Sequence, residues 1–89
     1  MIKPYIHRFG MKLVHAATGE WLRVGHIATD VHKQTHVIQG GECPVRHPPN
    51  GAVFTSRGSF RPHTLHCRWE AMSSVEQEVA SALPGVEYN

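Results

Sequence analysis

The stretch His63-Thr64-Leu65-His66-Cys67-Arg68-Trp69 alternates polar and apolar side chains along its whole length. Successive side chains of a β-strand point to opposite faces, so Leu65, Cys67 and Trp69 would share one face of an extended chain. Pro62 can open such a strand, because the first residue of a strand need not donate a hydrogen bond to its neighbour. The pattern predicts a half-buried strand that ends at Trp69, with the indole as the main anchor of the hydrophobic core.

The chain has 89 residues, 40% of them apolar, which is enough for one hydrophobic core and predicts a single domain over residues 1–89. No run approaches the roughly 18 apolar residues that a membrane-spanning helix needs. The first residues lack the apolar segment of a signal peptide. We therefore expect a protein of the bacterial or host cytoplasm that does not contact a membrane.

The chain has two cysteines, Cys43 and Cys67. A disulfide between them is not expected in a reducing cytoplasm. Cys67 shares the face of Trp69 and is expected to be buried as a small apolar side chain. Cys43 lies among prolines and glycines and is expected to be exposed.

Charge is distributed unevenly along the chain. Residues 1–69 hold all nine lysines and arginines against three acidic residues, a net charge of +6, whereas residues 70–89 hold four glutamates and no base, a net charge of −4. A basic body with an acidic tail favours an anionic partner for the body. The tail would either neutralise the basic face or form a separate partner-facing surface.

Four further strands are predicted before the stretch that ends at Trp69, in residues 11–16, 21–31, 35–39 and 52–56. In the longest of them the apolar positions change parity at Gly25, which predicts a bulge or a sharp bend, after which Ile27 and Val31 take the inward positions. Residues 40–51 contain three prolines and three glycines, a composition that predicts a loop. Loops of this length often carry function, so this one is the first place to look for a binding element.

A C-terminal helix is predicted over residues 71–84, since apolar residues recur there at helical spacing at Met72, Val75, Val79 and Leu83. Ser73 and Glu76 fit a capping box, and Pro84-Gly85 would end the helix. The helix is expected to lie across an open end or face of the sheet structure. The remaining segments are predicted as an N-terminal arm (1–10), either an edge segment or a frayed end, and a C-terminal tail (85–89).

These elements predict a mainly β fold. Five short strands with tight turns over residues 11–70, one of them bent, are typical of a small SH3-like five-stranded barrel, here followed by a C-terminal α-helix. An OB-like barrel is the alternative. It usually has a helix between its third and fourth strands, which residues 40–51 cannot supply.

Over residues 11–70 the chain resembles small, uncharacterised phage or prophage accessory proteins. The resemblance lies in a succession of strand and turn motifs: Gly19-Glu20-Trp21-Leu22-Arg23-Val24-Gly25, His36-Val37-Ile38-Gln39-Gly40-Gly41, Gly51-Ala52-Val53-Phe54-Thr55, Phe60-Arg61-Pro62 and Arg68-Trp69. It implies a bacterial or phage context and a non-enzymatic role. It implies no functional residue.

Eight histidines and two cysteines raise the possibility of a zinc site. The pattern that suggests one is Cys43-x3-His47 followed by His63-x3-Cys67. In a strand, however, residues four apart are separated by about 13 Å, too far for two ligands of one tetrahedral zinc. A cluster of His15, His26 and His36 on neighbouring strands is a second possibility. We expect no metal and no other cofactor.

Catalysis finds little support in the sequence. The chain has no Gly-x-Ser-x-Gly elbow and no P-loop. Asp30 is its only aspartate, and His32, two residues along, is too distant for a direct orienting bond. We therefore do not expect an enzyme.

Nucleic-acid binding has the strongest physical case, because a basic body can neutralise several phosphates. Trp21, Phe60 or Tyr5 could stack on bases if exposed. The residues assigned to nucleic-acid or partner binding lie on loops and on the outward face of the last strand: Lys33, Arg46, His47, Arg57, Arg61, His66 and Arg68. We expect a small non-enzymatic binding module that prefers nucleic acid or a nucleoprotein.

The alternative is a phage-type accessory protein or inhibitor that binds a host protein. It would act through residues 40–51 and the C-terminal helix, because loops on a small rigid scaffold are common binding elements. Deleting residues 71–89 is expected to tighten nucleic-acid binding if the tail masks a basic face.

Overall fold

A computed structural model of the protein describes residues 5–82 and 85–87, with side chains described for residues 5–79. Within these ranges the chain forms strands β1 (Tyr5–Arg8), β2 (Met11–His15), β3 (Ile27–Thr29), β4 (Thr35–Glu42), β5 (Ala52–Thr55), β6 (Gly58–Phe60), β7 (Cys67–Ala71) and β8 (Gly85–Glu87), a 3₁₀ helix (Pro62–Leu65) and one α-helix, α1 (Ser74–Ala82). The mainly β class with one short α-helix is confirmed. The described strands number eight rather than five, and they form two four-stranded sheets without a closed barrel among them.

The first sheet has the order β7-β2-β1-β8. β1 pairs antiparallel with β2 and parallel with β8. Tyr5–Arg8, within the segment predicted as an edge segment or a frayed end, therefore forms a paired strand, and so does Gly85–Glu87 within the predicted tail. Ile6 explains the position of β1, because its side chain is completely buried and adds to the core.

The second sheet has the order β3-β4-β5-β6, all antiparallel. β4 continues to Glu42, so the predicted loop begins three residues later than expected and covers residues 43–51. A register shift between Ile38 and Gly40 bends this strand. The bend lets β4 pair with β3 at one end and with β5 at the other.

Residues 21–31 do not form the single long strand that was predicted. Leu22 instead inserts between β1 and β2: its N–H donates to the carbonyl of Leu13 at 2.9 Å, and its carbonyl accepts the N–H of Ile6 at 3.0 Å. The chain then turns at Gly25, where φ is 93°, before it enters β3 in the other sheet. The predicted bend at Gly25 is thus confirmed.

The burial pattern after Gly25 is the reverse of the prediction. Ile27 and Val31 are exposed, whereas Ala28 and Asp30 are buried. Hydrophobic pattern alone assigns the apolar residues to the interior. Here a buried carboxylate with its own hydrogen-bond partners takes the inward position instead.

The stretch that ends at Trp69 is a strand only in its second half. Pro62 to Leu65 form a 3₁₀ helix, His66 adopts the left-handed conformation with φ 57°, and β7 begins at Cys67. Proline suits the first turn of a helix, because its missing N–H would have no helical partner there. The strand predicted over residues 63–66 is wrong, although the alternation of burial around Leu65, Cys67 and Trp69 is confirmed.

One hydrophobic core lies between the two sheets. Trp69 belongs to it, as predicted, with 8% of its surface exposed. Cys67 is buried as predicted, whereas Cys43 is completely buried, contrary to prediction, and both thiols are free. Other members come from both sheets and from the segments that join them: Ile6, Leu13, Leu22, Ala28, Ile38, Val53 and Leu65.

Helix α1 begins at the predicted capping box. The Ser73 N–H donates to Glu76 Oε1 at 3.0 Å, and the Glu76 N–H donates to Ser73 Oγ at 3.2 Å, which satisfies two backbone donors at the helix start. Met72 is buried, but Val75 and Val79 are exposed, so most of the described apolar stripe does not pack on the body. The predicted Leu83 position and the stop at Pro84 lie outside the described residues. No helix in the described ranges is long and apolar enough to cross a membrane.

Candidate functional site

A groove of about 490 Å³ lies between the loop at residues 43–51 and the segment at 62–69. The lining side chains come from β2, the loop, the 3₁₀ helix and β7: Met11, Pro44, Pro49, Asn50, Pro62, His63, Cys67, Arg68 and Trp69. A second cavity of about 190 Å³ shares Pro49 and Asn50 with the groove and is also lined by His47, Pro48, Gly51 and Arg61. The two cavities therefore form one indented surface, which we call the loop groove.

Backbone hydrogen bonds hold the loop in its position. The carbonyl of Cys43 accepts the N–H groups of Arg46 and His47 at 3.0 and 2.9 Å, and the carbonyl of His47 accepts the N–H of Gly51 at 2.8 Å. The buried Cys43 side chain anchors the first end of the loop in the core. The loop therefore forms a compact wall of the groove. Its composition had marked it as the first place to look for a binding element.

The indole of Trp69 packs against backbone at two glycines. A Cβ added at Gly51 would lie 2.6 Å from Trp69 Cδ1, and one added at Gly41 would lie 2.9 Å from Trp69 Cζ2. Only residues without a side chain allow so close an approach. The indole nitrogen of Trp69 is buried and has no hydrogen-bond partner within the described residues, so this ring contributes packing at the groove rather than a polar contact.

Three of the seven sequence-predicted binding residues line the loop groove. Arg68 lines the main cavity, and Arg61 and His47 line the smaller one. Arg46 projects from the loop itself and His66 is exposed at the corner before β7. Neither lining contains an aspartate or a glutamate, although Arg68 pairs with Glu70, outside the linings, at 3.0 Å.

Lys33 and Arg57 do not line either cavity. Lys33 lies in the turn between β3 and β4, where it adopts a positive φ of 63°. Arg57 lies in the turn between β5 and β6 and donates from Nε to the carbonyl of Thr35 at 2.7 Å. The structure therefore assigns these two predicted residues to the turns of the second sheet.

Arg68 is held in place by its neighbours. Its Nη1 donates to the carbonyl of Ala16 at 2.7 Å, and its Nη2 donates to Glu70 Oε2 at 3.0 Å. An exposed ion pair of this kind adds little stability. It does fix the direction of the guanidinium at the groove.

Lys12 shows that the acidic helix neutralises one cation of the body. Its ammonium group is bonded to Glu76 and lies 3.7 Å from Glu70 Oε1. The hydrogen bond from Lys12 is the largest cause that lowers the pKa of Glu76, followed by that from the Ser73 backbone. Lys12 lies on the outer face of β2 and does not line the loop groove.

The aromatic residues proposed for base stacking are already occupied. Tyr5 stacks on Trp21 with ring centroids 4.4 Å apart, and the Arg23 guanidinium lies 3.7 Å from the centroid of Tyr5. Phe60 packs edge-on against His36 at 4.7 Å. All three aromatic residues are half-buried, so the exposure on which their stacking role depended is only partial.

Phe9 is the aromatic residue that sequence reasoning missed. Its side chain is 51% exposed at the turn between β1 and β2. The guanidinium groups of Arg8 and Arg46 lie 4.4 and 5.9 Å from its ring centroid. The only signal for the turn was Gly10 between two short apolar segments, since Phe-Gly is not one of the pairs that favour a two-residue hairpin loop. It was not used because residues 1–10 were treated as an arm.

A buried polar network joins Asp30, His36 and Thr55. His36 Nε2 donates to Asp30 Oδ2 at 2.8 Å, and His36 Nδ1 is hydrogen-bonded to Thr55 Oγ1 at 3.0 Å. The hydrogen bond from His36, followed by that from the Gln34 backbone, lowers the pKa of Asp30 from 3.8 to about 2. The order carboxylate, imidazole, hydroxyl is that of a catalytic triad, but all three residues are buried, so the hydroxyl cannot meet a substrate and the network is structural.

The remaining cysteines and histidines do not assemble around one point. No group of three or more His, Cys, Asp or Glu residues in the described part of the chain could hold a metal ion. The strand spacing used against the pair His63 and Cys67 no longer applies, because His63 lies in the 3₁₀ helix. Of the three histidines proposed as a cluster, His15 and His26 stack at 6.5 Å, whereas His36 belongs to the buried network. Burial lowers the pKa of His26.

The candidate site is therefore the loop groove, a concave surface with proline and indole walls and a cationic rim. Its residues can hold an anion by charge and a flat apolar group by contact. No protein-family model, no curated protein and no solved structure matches the chain. The description of the site therefore rests on the chain's own residues.

Proposed function

We propose that the protein is a small non-enzymatic module that binds nucleic acid, alone or within a nucleoprotein, through the loop groove. The observation that carries the proposal is the lining of the groove. Two arginines and two histidines, drawn from the loop and from the segment at 61–68, face its cavities without a carboxylate among the lining residues. A polyanion gains most from such an arrangement, since each cation that contacts a phosphate releases a counterion.

The shape of the groove supports the same proposal. Arginine guanidinium groups bind phosphate oxygens through paired N–H donors. Arg68 lines the larger cavity and Arg61 the smaller one, so they can contact different phosphates of one strand. Asn50 lines both cavities, and a side-chain amide can donate to or accept from a base edge.

A protein-binding accessory role is the second candidate. It is favoured by exposed apolar side chains on the two elements that it would use: Val45 in the loop is 66% exposed and Val75 on α1 is 69% exposed. The SH3-like architecture and the phage or prophage context belong to this proposal as well as to the first. Both describe small modules that bind through loops.

Binding of fluorescently labelled oligonucleotides, followed by anisotropy, tests the first candidate. We expect affinity for nucleic acid that falls steeply as salt rises from roughly 50 to 200 mM, because phosphate contacts dominate. The variant Arg61→Ala should weaken binding and reduce the slope of log affinity against log salt by about one. Lys33→Ala is the matched control, since it removes the same charge from an exposed position outside the groove.

Two results would decide against the nucleic-acid candidate. One is the absence of binding at the lowest salt concentration. The other is an equal loss of affinity in Arg61→Ala and Lys33→Ala, which would mean that net charge rather than the loop groove attracts the polyanion. Capture of a host protein that depends on Val45 and Val75 would then support the second candidate.

A further inference from the structure

The turn between β1 and β2 has an unusual residue at its tip. Arg8 pairs with Met11, so Phe9 and Gly10 form a two-residue hairpin loop. Both have positive φ, 49° and 74°, as a type I′ turn requires. The favoured sequence for that turn is Asn-Gly, because asparagine tolerates the left-handed conformation and bulky side chains do not.

The fold does not compensate for this strain by burying the phenyl ring. Phe9 is 51% exposed, so it adds little to the core. Strained backbone positions are often retained at binding sites, where the conformation itself serves the function. The turn therefore presents an aromatic ring to solvent at a position where folding alone would favour asparagine.

The surroundings of the ring indicate what it meets. Arg46, which belongs to the loop that walls the groove, lies 5.9 Å from the Phe9 centroid, and Arg8 lies 4.4 Å from it. Met11, the second residue after Phe9, lines the groove. An exposed aromatic ring with guanidinium groups nearby, beside a cationic groove, is the combination that single-stranded nucleic-acid sites use.

We propose that Phe9 stacks on an unpaired nucleobase and that the loop groove consequently prefers single-stranded over duplex nucleic acid. Arg46 holds the adjacent phosphate, and the strand continues past Met11 into the groove. Bases of a duplex are stacked on one another and offer no free face to a side chain at this position. This inference rests on the proposed function. It adds that the preferred nucleic acid is single-stranded and that Phe9 is the residue that selects it.

The test compares wild type with Phe9→Ala, Phe9→Tyr and Phe9→Asn in anisotropy titrations with oligo(dT), oligo(U) and a duplex of the same length. Phe9→Ala should weaken single-strand binding about 5- to 100-fold and leave the weaker duplex binding nearly unchanged. Phe9→Tyr keeps the ring and should bind as wild type does. Val75→Ala, which removes another exposed apolar side chain, is the matched control and should have no effect.

Phe9→Asn separates a binding role from a structural one. Asn-Gly is the favoured type I′ pair, so this variant should melt at the same temperature as wild type or higher, yet bind single strands as poorly as Phe9→Ala. Unchanged affinity in a folded Phe9→Asn variant would overturn the inference. So would equal affinity for single strands and duplex, an outcome that leaves the proposed function standing, whereas no binding of either form would remove both.

Discussion

Asp30 illustrates how single residues decide the structure against the hydrophobic pattern. It lies at the turn between β3 and β4, where its buried carboxylate accepts N–H groups from His32 and Gln34 at 2.8 and 2.9 Å. Its other oxygen accepts a hydrogen bond from the Nε2–H of His36 at 2.8 Å. A buried charge is stable only when its partners satisfy it in this way.

Removing the Asp30 carboxylate should change how the free energy of unfolding depends on pH. Asp30 has a folded-state pKa of about 2 against an ordinary value of 3.8, so its ionised form stabilises the fold fully above about pH 4, and that contribution is lost as the pH falls towards 2. We expect urea denaturation between pH 6 and 2 to show a smaller acid-dependent loss in Asp30→Asn than in wild type. Identical pH profiles would contradict the assigned network.

Thr55 supplies a neutral comparison within the same network. Its hydroxyl accepts the Arg57 N–H at 3.1 Å and contacts His36 and the Gly58 carbonyl. Replacing it by valine keeps the shape and removes the hydroxyl, so Thr55→Val should lower the free energy of unfolding by about 1–3 kcal/mol. Because no acidic group is removed, the acid-dependent part of the profile should remain.

At the scale of elements, the loop at 43–51 owes its position to contact with β7. Gly51 has φ 79°, and an added Cβ would lie 2.6 Å from both the Glu42 carbonyl and the Trp69 ring. Gly19 is the matched comparison, since its φ is 72° but nothing lies within 4 Å of an added Cβ. Both positions require a positive φ, but only Gly51 is closely packed by its neighbours.

Gly51→Ala should therefore cost more than Gly19→Ala in chemical denaturation. Both variants carry the strain of a left-handed alanine, about 1–2 kcal/mol, and Gly51→Ala adds an overpacking cost of about 1–3 kcal/mol against Trp69. It should also weaken nucleic-acid binding, because the loop must move. Equal destabilisation by the two variants would mean that Gly51 does not hold the loop against the indole.

The sequence predicted elements well where local chemistry decides them. The capping box at Ser73, the bend at Gly25 and the burial of Trp69 each follow from a short-range rule and each is present. The prediction of a strand over 63–66 is wrong because a 3₁₀ turn that begins at a proline can show the same alternation of burial. β8 was missed because its pairing with β1 is non-local, and β1 was missed because Phe-Gly is not a favoured pair for the hairpin loop that joins it to β2. The composition of residues 40–51 pointed to the groove wall, but nothing in the sequence could place Phe9 beside Arg46.

At the scale of the whole molecule, strands from both ends of the chain complete the first sheet. β8 pairs with β1, and Met72 is buried just before α1. Deleting residues 71–89 would remove both, so such a deletion cannot separate the masking of charge from loss of structure. A point change at Glu76, which pairs with Lys12, is the cleaner way to remove an acidic contact of the helix.

The central claim is that one surface, formed by the hairpin tip at residues 9–11, the loop at 43–51 and the segment at 61–69, meets the nucleic acid. An amide-resolved NMR titration with a short single-stranded oligonucleotide tests this claim most directly, since it reports every backbone N–H at once. We predict that the shifted resonances cluster in these three segments, while those of Ile27 to Val37 and of Ser74 to Val79 stay in place. Shifts confined to the latter segments, or spread evenly over all basic residues, would contradict the account.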